Sequence, residues 1–200
     1  MKYIYAILLV LIVSGCSVKQ QPPVAKYALE VTVPQDLFRA SNGCLDKSLK
    51  VAQAFSSSSL MSKNMDYTEG KNKQYSYSQA QWYESPNRAL SKEFTEALRE
   101  AQIFKSVQNY KSVGASDWLL EISIEDLMQY FDEKLKKSYV KVSYTLTLIN
   151  NENSQVLATK TFERTIDAKA LNASGGVEAL NEALSEAFVE SMNWINGICQ

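Results

Sequence analysis

A run of strictly alternating residues, 139–149, constrains the fold of this chain more than any other feature. Apolar side chains occupy one set of positions, and lysine, serine and threonine occupy the other. Because successive side chains of a strand point to opposite faces, this period of two predicts a β-strand with one buried face. Residues 117–130 and 155–166 alternate in the same way. The middle of the chain therefore predicts consecutive strands joined by short turns.

Two other segments carry apolar residues at helical spacing. The first begins at Ser85-Pro86, where serine suits the N-cap and proline suits the first helical position. The second begins near Ser174 and ends at Gly197. Each helix has one apolar face that must be buried against another layer. The sequence predicts a two-layer α+β fold, a mainly antiparallel sheet with two amphipathic helices packed on one face.

The chain begins with the pattern of a secretory signal peptide. Lys2 precedes an apolar run that ends in Val13-Ser14-Gly15-Cys16. Such a cysteine is typical of a bacterial lipobox, so we expect removal of residues 1–15 and lipidation of Cys16 with diacylglycerol and a fatty acid such as palmitate. The run is too short for a transmembrane anchor, since a span takes roughly 20 residues. Plain secretion with an unmodified Cys16 is the other alternative.

The predicted domain begins soon after this cysteine. We interpret residues 16–26 as an acylated N-terminus followed by a polar tether that contains Pro22-Pro23. Residues 27–200 are predicted to form one α+β domain, which begins with an alternating strand at residues 27–33. Residues 17–25, nine residues in all, reach at most roughly 30 Å, which keeps the domain near its membrane. In Gram-negative lipoproteins, serine after the lipidated cysteine favours the outer membrane. Ser17 thus predicts attachment to its periplasmic face, with the inner membrane as the alternative.

Two cysteines remain beside the lipidated one, Cys44 and Cys199. In an oxidising compartment an even number of cysteines predicts a disulfide, which would join the start of the domain to its last turn. Two unpaired buried thiols are the alternative.

Composition excludes several kinds of catalytic site. The chain has no histidine, so it lacks the usual base of serine and cysteine triads and the commonest metal ligand. It also lacks a phosphate-binding GxxxxGK[ST] loop. With 21 basic and 22 acidic residues, the balance gives no electrostatic case for nucleic acid. We therefore expect no catalytic residue, no metal site and no cofactor other than the covalent lipid on Cys16.

Several motifs occur in a recognisable order. Lys26-Tyr27-Ala28-Leu29 opens the domain, Tyr75-Ser76-Tyr77 and Gln81-Trp82 precede the first helix, and the last helix contains residues 179–184. In this order the chain resembles the ABC-type transport auxiliary lipoprotein family. The resemblance implies a non-enzymatic subunit of an ABC transporter that has a periplasmic protein with a mammalian-cell-entry (MCE) domain.

In that family the transporter moves phospholipid or another hydrophobic molecule between the inner and outer membranes. The lipoprotein would dock the periplasmic MCE component. The chain could also form a homo-oligomer, and we expect no nucleic-acid partner. Two alternatives share the anchor. One is a structural or assembly lipoprotein, such as a chaperone of an outer-membrane channel, and the other is a periplasmic hydrolase that uses aspartate and glutamate.

An aromatic group marks one candidate binding surface. It comprises Tyr75, Tyr77, Trp82 and Tyr83. Aromatic side chains are enriched at protein interfaces, which makes these residues candidates for contact with the partner. Packing of an edge strand or hairpin against the first helix is the alternative explanation.

Overall fold

The computed structural model describes residues 22–34 and 44–199. The predicted signal peptide and Cys16 lie outside these residues. Within them the chain forms one open sheet of nine strands, two α-helices and a short 3-10 turn at Ser59–Met61. The elements are β1 (Ala25–Tyr27), β2 (Cys44–Val51), β3 (Phe55–Ser56), β4 (Asn64–Glu69), β5 (Lys73–Trp82), α1 (Pro86–Ala101), β6 (Phe104–Gln108), β7 (Trp118–Phe131), β8 (Ser138–Asn150), β9 (Gln155–Asp167) and α2 (Ala173–Ile198).

Strand β7 lies at the centre of the sheet. Along one edge it pairs with β8 over almost its whole length, and β9 then pairs with β8, both antiparallel. Along the other edge β2, β3 and β4 follow one another, all parallel to β7. Strand β6 lies beyond β2, while β5 and then β1 lie beyond β4. The segment 44–69 thus behaves as one interrupted strand beside β7.

This topology corrects the expected strand directions. The sheet is mixed rather than mainly antiparallel, since five of the eight strand pairings of the described residues are parallel. The prediction assumed that neighbours in sequence pair by short turns. That holds for β4–β5 and for β7–β8–β9. The first half instead returns to β7 through crossovers that include α1 and β6, and such connections make strands parallel.

Both helices pack on the same face of the sheet, as the apolar patterns predict. The β8 residues that face them are fully buried: Val140, Val142, Tyr144, Leu146 and Leu148. The Tyr144 ring lies 5.5 Å from the Phe94 ring of α1 and 6.1 Å from the Phe188 ring of α2. Phe94 and Phe188 stack on each other with centroids 3.9 Å apart. Among the described residues, no helix is both long and apolar enough to cross a bilayer.

The segment 28–34 is extended but does not continue β1. Leu29 is buried, as its alternation predicts, yet the backbone follows α2 instead of a strand. The amide of Glu30 donates to Asn181 Oδ1 at 3.2 Å, and the amide of Thr32 donates to Ser185 Oγ at 3.0 Å. Side chains of the helix therefore satisfy backbone groups that a neighbouring strand would otherwise pair.

Two large apolar residues of the sheet strands, Phe55 and Val156, are exposed, because irregular backbone shifts the alternation. Phe55 is 72% exposed, since the chain leaves the strand at residues 52–54 and Ala54 and Ser56 turn inward instead. Val156 is 54% exposed, because the β8–β9 register shifts between Leu148 and Ile149. A shift of one residue moves side chains to the other face of a strand.

A disulfide bond joins Cys44 at the start of β2 to Cys199, the residue after α2. This is the pairing that the cysteine count predicts. The bond fastens the end of the last helix to an edge region of the sheet, and it closes a loop across a sequence separation of 155 residues.

We expect loss of this disulfide to lower the free energy of unfolding by about 2–5 kcal/mol, because closing a long loop restricts the unfolded chain. Urea denaturation of the C44S/C199S variant, followed by circular dichroism, measures the change. An unaltered denaturation midpoint relative to the oxidised protein would contradict it.

A buried polar contact fixes α2 on the sheet. The hydroxyls of Tyr144 and Ser191 lie 2.8 Å apart, and Ser191 Oγ also donates to the carbonyl of Ala187 at 2.8 Å. Since the serine proton goes to that carbonyl, the Tyr144 hydroxyl is the donor to Ser191. Both side chains have no exposed surface.

We expect S191A to lower the free energy of unfolding by about 1–3 kcal/mol, since the buried Tyr144 hydroxyl then has no acceptor. Y144F should lower the free energy of unfolding by less than S191A does, because Ser191 keeps its hydrogen bond to the carbonyl of Ala187. The double variant Y144F/S191A should recover part of the loss, as both polar groups are gone. Equal and additive losses in urea denaturation would show that the two hydroxyls act independently.

Candidate partner-docking surface

The hairpin of β4 and β5 carries the four aromatic residues that the sequence singles out. A bulge divides them into two pairs: Asp66 pairs with Ser76, but Asn64 pairs with Gln81. Tyr75 lies before the irregular stretch 77–80 of β5 and Tyr77 is its first residue, whereas Trp82 and Tyr83 lie after it. The structure therefore does not gather the four into a single patch.

Tyr75 and Tyr77 belong to a cluster of rings centred on Tyr67 of β4. The Tyr67 ring centroid is 5.7 Å from that of Tyr75, 4.5 Å from that of Tyr77 and 5.5 Å from that of Phe131. We call Tyr67, Tyr75 and Tyr77 the tyrosine cluster. Tyr75 keeps 44% of its surface exposed, whereas Phe131 is buried beneath the cluster. Ring contacts of this kind stabilise the hairpin beyond simple burial.

Tyr77 is held by a buried amide. Its hydroxyl donates to Gln129 Oε1 at 2.9 Å, and Gln129 Nε2 donates to Ser138 Oγ at 3.0 Å. Burial raises the pKa of Tyr77, so the hydroxyl stays protonated and able to donate. Gln129 is only 3% exposed. This chain of bonds joins the hairpin to the central strands.

The start of α2 lies directly on Gln129. A Cβ atom on Gly176 would overlap Gln129 Oε1, so any larger residue there requires the Gln129 amide to move. Asn172 caps the helix by accepting from the amide of Gly175 at 2.9 Å. An open cleft of about 400 Å³ separates this helix start from the edge of the sheet, where Tyr27 and Tyr77 form its wall.

The second aromatic pair is divided between core and surface. Trp82 is 3% exposed and belongs to the hydrophobic core, so it offers no surface to a partner in this conformation. Tyr83 is 68% exposed, and its amide donates to the carbonyl of Tyr27 at 2.7 Å. The chain around Lys63 lies beside the end of β5, because the amide of Trp82 donates to the carbonyl of Lys63. Tyr83 follows Trp82 and the half-exposed Met61 lies two residues before Lys63, and we call these two exposed side chains the Tyr83 patch.

The described residues hold no group of three cysteine, aspartate or glutamate side chains placed to bind a metal ion. One carboxyl stands out chemically. Burial raises the pKa of Asp126, although Oδ2 accepts a hydrogen bond from the Tyr130 hydroxyl at 2.6 Å. A bulge in β7 places Asp126 opposite Ser143, on the face away from the helices. The nearby Glu163 pairs with Lys141 at 3.7 Å, and both Glu163 and Glu125 lie within hydrogen-bonding distance of the Ser143 hydroxyl.

The family model for the ABC-type transport auxiliary lipoprotein component matches residues 27–190. The chain belongs to this family. It is therefore an auxiliary lipoprotein component of ABC-type transport, as the sequence resemblance implied. No curated protein sequence matches it.

Solved structures share the fold of this family member. A Xanthomonas campestris protein aligns with a TM-score of 0.78 at 16% identity, covering 88% of this chain and 96% of that one. An uncharacterized protein aligns with a TM-score of 0.65 at 12% identity, covering 88% and 99%. At such identities the likeness concerns the fold alone.

Sequence reasoning found the exposed Tyr75 and Tyr83 but missed the residues that organise the surface around them. Tyr67 stands in a polar segment with no clear period, and Gln129 is a polar residue inside a strand. The one available signal was the Gly175-Gly176 pair at the start of a helix, since glycine there indicates a close backbone approach.

We expect G176A to lower the free energy of unfolding by about 1–3 kcal/mol, because the added methyl displaces Gln129 from its bonds to Tyr77 and Ser138. G197A is the matched control, since a Cβ there meets no atom within 4 Å. It should be neutral or slightly stabilising, as alanine favours helix over glycine. Thermal unfolding of both variants measures the difference, and equal effects would refute the contact.

Proposed function

We propose that this chain is a lipid-anchored, non-enzymatic subunit of an ABC transporter whose periplasmic component carries an MCE domain. The transporter would move phospholipid or another hydrophobic molecule between the inner and outer membranes. The chain's task is to hold the periplasmic component at the periplasmic face of the outer membrane. The observation that carries the proposal is the family match over residues 27–190, preceded directly by the Val13–Cys16 lipobox.

The anchor follows from the chemistry of Cys16. A diacylglycerol on sulfur together with an amide-linked fatty acid supplies more than one hydrocarbon chain, which suffices for stable membrane attachment. Ser17 supports sorting to the outer membrane. With a tether of at most roughly 30 Å, the domain stays close to that bilayer, so the transporter component must reach it there.

The proposed role needs docking rather than chemistry, and no cofactor. The cleft between α1 and residues 109–111 measures about 200 Å³ and mixes acidic and basic side chains, among them Glu84, Arg88 and Lys111. Asp126, the carboxyl whose pKa is raised by burial, does not line this cleft. Both observations favour a binding protein over a hydrolase.

We place contact with the MCE component at the Tyr83 patch. Tyr83 and Met61 are large apolar side chains that the fold leaves exposed, and neither contributes to the buried core. Aromatic residues and methionine are enriched where proteins meet. Tyr75 projects from the other end of the hairpin, so it would serve a different contact.

We expect the native lipoprotein, extracted from membranes and purified, to recover the MCE-domain protein. Y83A/M61A should reduce that recovery at least several-fold, since exposed aromatic anchors dominate interface energies. Quantitative mass spectrometry of the eluates measures the ratio of the two proteins.

V156A/L157A is the matched control, because Val156 and Leu157 are also exposed, at 54% and 38%, but lie on β9. Its recovery of the MCE-domain protein should equal that of the native chain. Repeated purifications of acylated protein without any MCE-domain protein would contradict the proposed function. If Y83A/M61A recovered as much MCE-domain protein as the native chain, the contact would not lie at the Tyr83 patch.

A further inference from the structure

One end of the domain is formed by two hairpin tips that lie side by side. The turn 70–72 follows β4, and the loop 132–137 follows β7, whose end runs parallel to β4. The amide of Gly70 donates to the carbonyl of Phe131 at 3.0 Å, which joins the tips. We call residues 69–75 and 132–139, with the adjoining loop 167–171, the hairpin-tip surface. That loop belongs here because the amide of Ala168 donates to the carbonyl of Ser138.

This surface combines lysines with exposed apolar side chains. Its lysines are exposed, and none forms an ion pair with a described residue: Lys71, Lys73, Lys134, Lys136, Lys137 and Lys169. Its exposed apolar and aromatic residues are Tyr75, Leu135, Tyr139 and Leu171, each between 41% and 48% accessible. Four acidic residues lie among them: Glu69, Asp132, Glu133 and Asp167. The Asp132 carboxylate accepts from the backbone amides of Lys136 and Lys137, so it is engaged in the loop itself.

Leu135 has no structural reason to be leucine. Its φ is +52°, in the left-handed region that favours glycine or asparagine, and almost half of its side chain is exposed. Neither packing nor backbone preference accounts for a large apolar residue at the end of a loop between Lys134 and Lys136. A binding role does account for it.

The N-terminal chain comes from the same end. Strand β1 runs parallel to β5, with Ala25 beside Ala80, and β5 runs away from the hairpin tip. The described residues before Ala25, residues 22–24, therefore lie on the tip side. From Lys73 to Ala80 the strand spans about 23 Å at 3.3 Å per residue. The nine residue-to-residue steps from Cys16 to Ala25 span up to about 30 Å, so a lipid on Cys16 can reach the plane of the tips.

We propose that the hairpin-tip surface rests on the bilayer that holds the lipid anchor, with its lysines against anionic phospholipid headgroups and Leu135 inserted among them. The opposite end has a different character. The loop 109–117 carries Lys111 and Asp117, and its most exposed apolar residue is Val113, at 103%. Lysines near an anionic membrane surface attract it, and apolar side chains enter the interface between them.

The contact complements the proposed function, on whose Cys16 anchor it rests. A single tether would leave the domain free to rotate on the membrane. A second contact at the tips fixes its orientation. It directs the opposite end, with loop 109–117, away from the bilayer.

The test uses acylated full-length protein bound to phosphatidylethanolamine vesicles that contain phosphatidylglycerol. An environment-sensitive fluorophore is attached to L135C, or to V113C as the matched control, and spin-labelled lipids serve as quenchers. Cys44 and Cys199 do not react, because they are disulfide-bonded. We expect strong quenching at position 135 and little at position 113. Equal quenching at both positions would overturn the membrane contact.

Charge reversal separates this contact from the anchor. In protein labelled at L135C, the substitutions K134E/K136E/K137E should abolish the quenching, while the protein still floats with the vesicles. The reason is that each lysine near the membrane changes the attraction to anionic lipid by roughly fivefold. K63E/K105E/K111E makes the same change of net charge away from the tips and should keep the quenching. Equal quenching in the two variants would overturn the proposal.

Two further outcomes would also overturn it and are distinguishable from each other. If unsubstituted protein does not float with vesicles, the Cys16 anchor fails, and the membrane location in the proposed function fails with it. If the protein floats but the probe at position 135 is shielded only after the MCE-domain protein is added, the tips bind protein instead of lipid. In that second case the proposed function survives.

Discussion

Pairing along both edges of β7 is the constraint on which the rest of the structure depends. A strand inside a sheet must satisfy backbone groups on both sides, and β7 does so with β8 on one side and three short strands in succession on the other. The bulge at residues 124–126 keeps its apolar residues facing the helices along the whole length: Leu120, Ile122 and Ile124 before the bulge, and Leu127 after it. The helices can then bury one continuous face.

The sequence predicted those parts of the fold whose period is regular. Strand β8 alternates without interruption, and its buried apolar residues are those that the pattern indicates, although Ser138 and Ser143 are buried as well. The apolar faces of the two helices were equally clear, and Phe94 and Phe188 meet where those faces meet. In such segments burial of one face decides the structure, so local pattern and global fold agree.

The parallel pairings could not be read in the same way. Strands β2, β3 and β4 are short, and their partner in β7 lies far along the chain. Nothing in a short apolar run says which distant strand it joins. Phe55 illustrates the difficulty, because a departure from strand geometry at residues 52–54 turns its ring outward.

The candidate surface was only half predictable for a related reason. Aromatic composition drew attention to β5, but composition does not distinguish the buried Trp82 from the exposed Tyr83 a single residue later. The bulge decides which ring is available, and its register becomes visible only once β4 is in place. Tyr77 likewise appears as a surface aromatic until Gln129 and Gly176 are seen to hold it against α2.

The two ends of the domain differ in a way that follows from the direction of its elements. Helix α2 begins at the hairpin tips and ends at the disulfide, so Cys44 and Cys199 close the end remote from the tips. The extended segment 28–34 lies along the same helix, held by Asn181 and Ser185. A pull on Ala25 therefore acts on backbone bonded to both β5 and α2. The proposed anchor at Cys16 would load the sheet and the helix together, and the proposed contact at the hairpin-tip surface would set the orientation of the domain.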